Sequence, residues 1–257
     1  MINFLIIGLV FMFGMCIGSF LNVCIYRLPS SMSILKPSRS FCPQCKSAIK
    51  FYDNIPVFSY IWLKGRCRNC KASISLRYPL VELITGILAI AILFLFGLTL
   101  EGLVYFIFIS SLLVITFIDI DHKIIPDIIT LPGIPIGLLA SFVLPAMTFI
   151  SSLVGLLVGG GSLLLVAWVY SLITHKEGMG GGDIKLLGMI GAFLGWKGVI
   201  FTIFAASLTG TLVGIIVMLQ KGKNLKFAIP FGPFLSIGAM SYVFFGERVM
   251  YWYLHSF

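Results

Sequence analysis

Charged side chains are scarce in this sequence. They make up 11% of its 257 residues, and only nine residues are acidic, whereas a soluble domain carries roughly 25% charged residues. The sequence has instead several long apolar runs. Their length is close to the ~20 residues that a helix needs to span a bilayer. The composition therefore excludes an ordinary soluble protein and predicts an all-α, polytopic membrane protein.

Recognisable cofactor motifs are missing as well. No Gly-rich strand–turn–helix pattern is visible, and no internal repeat or low-complexity segment stands out. The function must therefore be inferred from the few polar residues between the apolar runs.

Eight apolar segments predict about eight transmembrane helices. The first has no basic region before it and exceeds the ~7–15 apolar residues of a signal peptide, so we interpret it as a retained helix. The segment at 184–196 would span only about 20 Å, against a hydrocarbon core of about 30 Å. We expect it to cross as a short helix beside thinned or water-filled space. The approximate segments are 3–26, 79–98, 102–119, 127–145, 150–174, 184–196, 198–219 and 229–247.

Pairs of glycines four residues apart occur in three of these segments. Small residues at this spacing let membrane helices approach closely. We therefore expect packing contacts at Gly155 and Gly159, at Gly191 and Gly195, and at Gly210 and Gly214.

The basic residues orient the chain, because cytoplasmic loops of membrane proteins are enriched in Lys and Arg. If the polar stretch at 27–77 is cytoplasmic, alternation places all but two of the 18 basic residues inside, the exceptions being Lys197 and Arg248. Both termini are then external to a bacterial inner membrane that the chain crosses several times. This asymmetry accounts for the net charge of +9 without a nucleic-acid partner.

Four cysteines form two CxxC pairs in the one long polar stretch, namely Cys42, Cys45, Cys67 and Cys70. Two such turns can complete a tetrahedral zinc site. Disulfides are the alternative, but thiols stay reduced in the cytoplasm. A structural metal would also stabilise a stretch too short to build a firm core alone. We therefore divide the chain into a first transmembrane helix at 1–28, a zinc domain at 29–78 and a membrane domain at 79–257.

Four of the nine acidic residues lie at predicted cytoplasmic ends of membrane segments: Asp119, Asp121, Asp127 and Asp183. Asp119 ends an apolar run, where it faces the negative end of the helix dipole and is penalised by lipid. A purely structural role would need a partner that the sequence does not reveal. Asp121 would face nearly the opposite side of a continuing helix. Asp127 follows Pro126 at the start of a new segment, which favours capping over catalysis.

Asp183 follows a run of glycines. Capping is again an alternative, but the run from Gly180 to Gly182 exceeds what a cap needs and leaves room for another backbone beside the carboxylate. An extended peptide substrate requires such room. Two carboxylates from separate segments suggest acid–base chemistry on water, with one ionised and one protonated, because like charges at short range push two pKa values apart.

These residues stand in motifs that resemble the type IV prepilin peptidases, which are intramembrane aspartyl proteases. The run Gly180–Asp183 fits the GxGD motif of such proteases, within the longer match Lys176–Leu187. The matches extend over nearly the whole chain. The others are Gly18–Asn22 with Arg27–Pro29, Tyr52–Pro56, Arg77–Glu82, Ile118–His122 with Ile125–Asp127, and Pro230–Pro233.

The resemblance implies that Asp119 and Asp183 are the catalytic pair. It implies cleavage of prepilins or pseudopilins after a glycine, at the cytoplasmic face of the membrane. The four-cysteine stretch marks the bifunctional branch, which also N-methylates the new N-terminus from S-adenosylmethionine. We assign supporting positions to Gly180, Gly182, Asp121, Asp127 and Lys185, and we name Gly65, Arg66 and Glu82 as candidates for the methyltransferase site.

Two other functions stay open at this point. An ion-coupled transporter or channel could use Asp119 and Asp183 as a relay, but this would not explain the glycine run or the cysteines. A membrane-anchored zinc ribbon could bind nucleic acid through its basic face, but it would leave the aspartates without a role.

Overall fold

Helices make up most of the described part of the chain. The computed structural model describes residues 3–36, 40–175, 180–221 and 230–255, and its β-structure there consists of two isolated bridges. The all-α prediction is therefore confirmed. The helices are α1 (Phe4–Arg27), α2 (Phe58–Trp62), α3 (Arg77–Phe96), α4 (Leu100–His122), α5 (Asp127–Ala140), α6 (Phe149–Thr174), α7 (Gly181–Lys221) and α8 (Gly232–His255), with a 3-10 turn at Phe51–Asn54.

Five helices are long and apolar enough to cross a membrane, namely α1, α3, α4, α6 and α7, and α5 and the first part of α8 are shorter apolar helices. α7 is interrupted at Gly195, which has φ 68° and ψ 179°, a conformation that glycine adopts without steric cost. If α7 is divided there, the described residues contain eight apolar helical segments, in agreement with the sequence. The predicted segment 184–196 corresponds to the part of α7 before Gly195.

Two helix ends lie well away from the predicted positions, whereas the other boundaries differ by a few residues. α5 ends at Ala140 rather than at 145, and residues 141–147 turn instead. Pro145 disfavours helical backbone in the residue before it, so an apolar sequence alone does not extend the helix. α8 continues to His255, beyond the predicted end at 247, because a helix can continue past the apolar core that the sequence reveals.

Backbone contacts group the chain into two compact units, an N-terminal unit (Met1–Ser110) and a C-terminal unit (Ser111–Phe257). In the N-terminal unit, α1 packs against α3. A Cβ added at Gly18 would lie 2.7 Å from the Cα of Glu82, so the close approach depends on glycine. This contact brings Asn22 of α1 beside Tyr78 of α3. The division into 1–28, 29–78 and 79–257 stays a prediction.

In the C-terminal unit, α7 packs against α5, α6 and α8. Backbone atoms of Gly155 and Gly191 lie so close that a Cβ on either would overlap the other residue's backbone, and a Cβ at Gly159 would lie 2.5 Å from the Leu187 carbonyl oxygen. The predicted packing role is confirmed for these positions. It is wrong for Gly214, which has open space around it in the described residues.

Candidate active site and metal centre

Asp119 is buried in the last turn of α4, with 5% of its surface exposed. Its Oδ2 accepts a hydrogen bond of 3.0 Å from the backbone amide of Gly232, the first residue of α8. The N-terminus of a helix carries unpaired amides and a partial positive charge. The partner that the sequence did not reveal is therefore the N-terminus of another helix.

Asp183 lies in the first turn of α7. Its backbone amide donates to the carbonyl of Gly180 at 3.1 Å, which turns the chain from the glycine run into the helix. A Cβ at Gly180 would lie 3.7 Å from Asp183 Oδ2, and no described residue lies within 4 Å of the Cβ position of Gly181. Within the described part of the chain, Gly180 and Gly181 thus leave open space beside the carboxylate.

Ile125 contacts residues beside both carboxylates. A Cβ at Gly182 would lie 2.9 Å from Ile125 Cβ, and a Cβ at Gly232 would lie 3.1 Å from Ile125 Cδ1. The side chain of Ile125 therefore packs between the residue before Asp183 and the residue that holds Asp119. Ile125 thus links the surroundings of the two carboxylates, on one side through Gly182 and on the other through Gly232.

Asp127 and Lys185 form an ion pair beside this pair of carboxylates. Lys185 Nζ lies 2.8 Å from both carboxylate oxygens of Asp127, and both side chains are partly exposed. Asp127 is the first residue of α5, but the cap position is Pro126 and has no side-chain cap bond. The capping role that we predicted for Asp127 is therefore wrong, because its carboxylate binds a lysine of α7. Asp121 is exposed.

The four cysteines converge on one point. Their Sγ atoms all lie within 4.8 Å of one another, and each cysteine is free of a disulfide. A tetrahedral zinc site with Zn–S bonds of about 2.3 Å requires S···S edges of about 3.8 Å, and Cys42 Sγ lies 3.8 Å from Cys70 Sγ. The donor set and the spacing therefore fit zinc.

The two CxxC turns repeat the same backbone structure. The amide of Cys42 donates to the Ser47 carbonyl, as that of Cys67 donates to Ala72. Lys46 and Lys71 each have positive φ, of 56° and 59°. The sequences CPQCKSAI and CRNCKASI are offset by 25 positions. We missed this internal repeat in the sequence, although the shared C-x-x-C-K-x-x-I pattern could have shown it.

Hydrogen bonds around the cysteine cluster separate the pKa values of its thiols. Hydrogen bonds from the Ser47 side chain, at 2.9 Å, and from its backbone lower the pKa of the Cys45 thiol to about 6, whereas burial and hydrogen bonds with the other cysteines raise the pKa of the Cys70 thiol to about 11. At neutral pH a thiolate is therefore accessible at Cys45. Nearby, Arg68 binds both oxygens of Asp53 at 2.8 and 2.6 Å and lowers the pKa of that carboxyl.

The three candidate methyltransferase residues lie in different places. Glu82 is buried and lines a cavity of about 430 Å³ in the N-terminal unit. Gly65 and Arg66 do not line this cavity. Gly65 has a φ of 65°, and Arg66 forms a β-bridge with Ser73.

The sequence reasoning gave no role to Ile125 or Gly232. Both lie in motifs on which the family resemblance rests, Ile125–Asp127 and Pro230–Pro233. Their place in these motifs could have indicated that the two residues have a role.

Comparison with known proteins places both units in described families. Residues 12–96 match the bacterial peptidase A24 N-terminal domain, and residues 106–215 match the type IV leader peptidase family. Relatives named prepilin leader peptidase/N-methyltransferase occur in Aeromonas hydrophila (38% identity over 97% of this chain and 94% of the relative), Pseudomonas putida (36%, 92% and 89%) and Myxococcus xanthus (42%, 83% and 63%). No solved structure matches the chain.

Proposed function

This chain belongs to the type IV leader peptidase family, and we propose that Asp119 and Asp183 are the catalytic pair of its peptidase activity. It is a multi-pass inner-membrane enzyme, a prepilin peptidase that also has N-methyltransferase activity, like the relatives whose names state both. The observation that supports the catalytic assignment is that Ile125 contacts both Gly182, the residue before Asp183, and Gly232, whose amide binds Asp119.

The two carboxylates would divide the work of activating water and polarising the scissile carbonyl. Like charges at short range share one proton between them. Asp119 accepts the Gly232 amide, a bond that strengthens when the acceptor is charged. We therefore assign the ionised state to Asp119, which takes a proton from water. Asp183 is then the protonated partner, which donates to the carbonyl oxygen as the tetrahedral intermediate forms.

The glycine run before Asp183 suits a peptide substrate. Among the described residues, none lies within 4 Å of the Cβ position of Gly181, and Asp183 alone does so at Gly180. A substrate main chain can therefore lie beside this backbone and hydrogen-bond to it. We propose a membrane-inserted prepilin or pseudopilin as the substrate, cut after a glycine at the cytoplasmic face of the membrane.

The test is to incubate the purified chain in lipid nanodiscs with a membrane-inserted prepilin and to analyse the product by mass spectrometry. The expected product begins directly after the last glycine of the leader. A cut at another position would contradict the proposed specificity. Ion flux through the purified chain without any cleavage would favour the relay function instead.

We also propose one structural zinc ion per chain, held by the four cysteines. The support is the S···S distance of 3.8 Å and the confinement of all four Sγ atoms within 4.8 Å. Four thiolates leave no open coordination position, so the metal would hold the two repeated turns together and take no part in cleavage. Elemental analysis of freshly purified protein should give about one equivalent, and less than about half would contradict the assignment.

The methyltransferase activity completes the proposal. The new N-terminal amine would receive a methyl group from S-adenosylmethionine, within the part of the chain that matches the A24 N-terminal domain. Glu82, the one of our three candidates that lines the cavity, lies in this part.

A further inference from the structure

The short helix α2 presents an apolar face to its surroundings. Phe58, Ile61 and Trp62 stand at positions i, i+3 and i+4, so their side chains share one side of the helix. These residues are 60%, 67% and 82% exposed. On the other side of the helix, Tyr60 and Leu63 line the cavity of the N-terminal unit. A helix that borders water has its polar side outward, so the outer face of α2 does not suit water.

α2 begins beside the two membrane helices of the N-terminal unit. The amide of Val57, the residue before α2, donates to Oε2 of Glu82 at 2.8 Å, and the Ser19 hydroxyl of α1 donates to the same carboxylate. Glu82 is the sixth residue of α3, which begins at Arg77, so it lies about 7.5 Å along the helix axis from that end. Interfacial helices bury their apolar face about 5–10 Å below the headgroups. The depth at which α2 is held matches this range.

Basic residues follow the apolar face directly. Lys64 and Arg66 come just after α2, and both are exposed. The amide of Lys64 donates to the Ile61 carbonyl at 3.0 Å, and the amide of Gly65 donates to the Tyr60 carbonyl at 2.8 Å, which is the hydrogen-bond pattern of a Schellman motif. Lys64 thereby takes the left-handed position, with φ 52°, that glycine usually occupies. The end of the helix thus fixes a positive charge next to the apolar face.

This combination of side chains distinguishes lipid from other occupants. Tryptophan is enriched at the headgroup level of membranes, and apolar residues beside it reach the boundary with the acyl chains. Each Lys or Arg near the surface adds attraction to anionic headgroups. A second copy of the chain or a substrate helix could cover the apolar face, but neither would give the adjoining positive charges a partner of opposite sign.

We propose that α2 lies in the interface of the membrane that the chain crosses, where Phe58, Ile61 and Trp62 contact the upper acyl chains and Lys64 and Arg66 bind anionic phospholipid headgroups. One cysteine turn precedes α2 in the sequence and the other follows it, so this contact holds both turns at the membrane surface. The inference depends on the membrane helices α1 and α3 and not on the proposed peptidase function.

The first test is quenching of Trp62 fluorescence in nanodiscs that each hold one copy of the full chain. The emission of Trp62 is the difference between the wild type and Trp62→Phe, a change at an exposed position that should leave the fold intact. Phospholipids brominated in the upper part of their acyl chains should quench this emission by about half or more, because an interfacial helix places its apolar face there. Iodide in the buffer should quench it little.

Two outcomes of this test would overturn the proposal. Strong quenching by iodide without quenching by the brominated lipids would place Trp62 in water. Protection from both quenchers would show that protein covers the apolar face, because a disc with one copy excludes a second chain and leaves only another segment of the same chain as the cover.

The second test measures the headgroup preference. The discs contain phosphatidylglycerol and phosphatidylcholine in equal amounts, and one of the two lipids is brominated at a time. Brominated phosphatidylglycerol should quench Trp62 more strongly. Lys64→Gln should lower the relative affinity for phosphatidylglycerol about fivefold, the effect of one charge near the surface, while quenching by brominated phosphatidylcholine persists.

The matched control is Lys46→Gln, which makes the same change in the first cysteine turn, where Lys46 Nζ lies 5.7 Å from the ring centre of Phe41. It should leave the lipid preference of Trp62 unchanged. Equal quenching of the wild type by the two brominated lipids, or equal effects of Lys64→Gln and Lys46→Gln, would overturn the proposed headgroup contact.

Discussion

At Gly232 the backbone amide donates to Asp119 Oδ2 at 3.0 Å, and a Cβ added there would lie 2.6 Å from the same oxygen. Gly232 therefore positions Asp119, a proposed catalytic residue that lies 113 residues earlier in the sequence. Because so close a contact leaves no room for a methyl group, a side chain at Gly232 would have to displace the carboxylate.

We predict that Gly232→Ala lowers kcat for prepilin cleavage by about 100-fold, because a displacement of about 1 Å in a catalytic group can cost that much. The KM should change little, since Gly180 and Gly181, which we propose to face the substrate, are untouched. Gly214→Ala is the matched control, because no described residue lies within 4 Å of its Cβ position, and its kcat should equal that of wild type. A normal kcat for Gly232→Ala would exclude the positioning role.

Residues whose chemistry is local could be predicted from the sequence, and residues that act through long-range contacts could not. The cysteines were predicted from their spacing, and four aspartates from their position at the ends of apolar runs; the family resemblance then implied Asp119 and Asp183 as the pair. The Gly232 amide and the ion pair between Asp127 and Lys185 depend on contacts between separate helices. The hydrophobic pattern does not show which side chains of separate helices meet. Asp127 was therefore interpreted as a cap, because its partner Lys185 was not apparent from the sequence.

At the scale of elements, α6 and α7 are held together by glycines. The Cβ position of Gly155 overlaps the backbone of Gly191, and Gly195 lies in the same contact. Without a water-driven hydrophobic effect between helices, such packing is a main source of association in lipid. The position of Asp183, in the first turn of α7, therefore depends on this contact.

We expect Gly155→Ala to destabilise the protein by about 1–3 kcal/mol, because the new methyl group meets backbone atoms that cannot rotate away. Gly161→Ala lies in the same helix and has open space, so it should be neutral or stabilising by up to about 1 kcal/mol. Denaturant unfolding in detergent measures both. Equal stability of the two variants would contradict the glycine contact.

The apolar elements were predicted better than the polar ones. Hydrophobic runs gave the eight helical segments, and even the division near Gly195 follows from the sequence. The short helix α2 and the 3-10 turn before it were not predicted, and neither was the repeated backbone structure of the two cysteine turns. These elements depend on local backbone hydrogen bonds, for which hydropathy has no signal.

For the molecule as a whole, the distribution of basic residues predicts the orientation in the membrane. Ser31 should be cytoplasmic and Lys197 external, and both are exposed. Lys223, which carries the same prediction as Ser31, lies outside the described residues. Lys197 follows the short first part of α7, so its side of the membrane also shows whether that part crosses.

We predict that an impermeant maleimide applied from the periplasmic side labels Lys197→Cys but not Ser31→Cys. The driving force is the preference of Lys- and Arg-rich loops for the cytoplasm. Labelling of the parent chain, with its own cysteines, sets the background. External labelling of Ser31→Cys would reverse the orientation, and protection of Lys197→Cys would show that the first part of α7 does not cross.

The central claim, that Asp119 and Asp183 together activate water for peptide cleavage, has a direct test. The measurement is the rate of prepilin cleavage by Asp119→Asn, Asp183→Asn and Asp127→Asn, each purified and checked for folding. Asn keeps the size of the side chain but cannot act as a base. We predict that the first two variants lose at least about 10⁴-fold, at the upper end of general acid–base effects. Asp127→Asn removes an exposed ion pair worth about 0–1 kcal/mol and should lose less than about tenfold. Cleavage at a near-normal rate by either Asp119→Asn or Asp183→Asn would contradict the account.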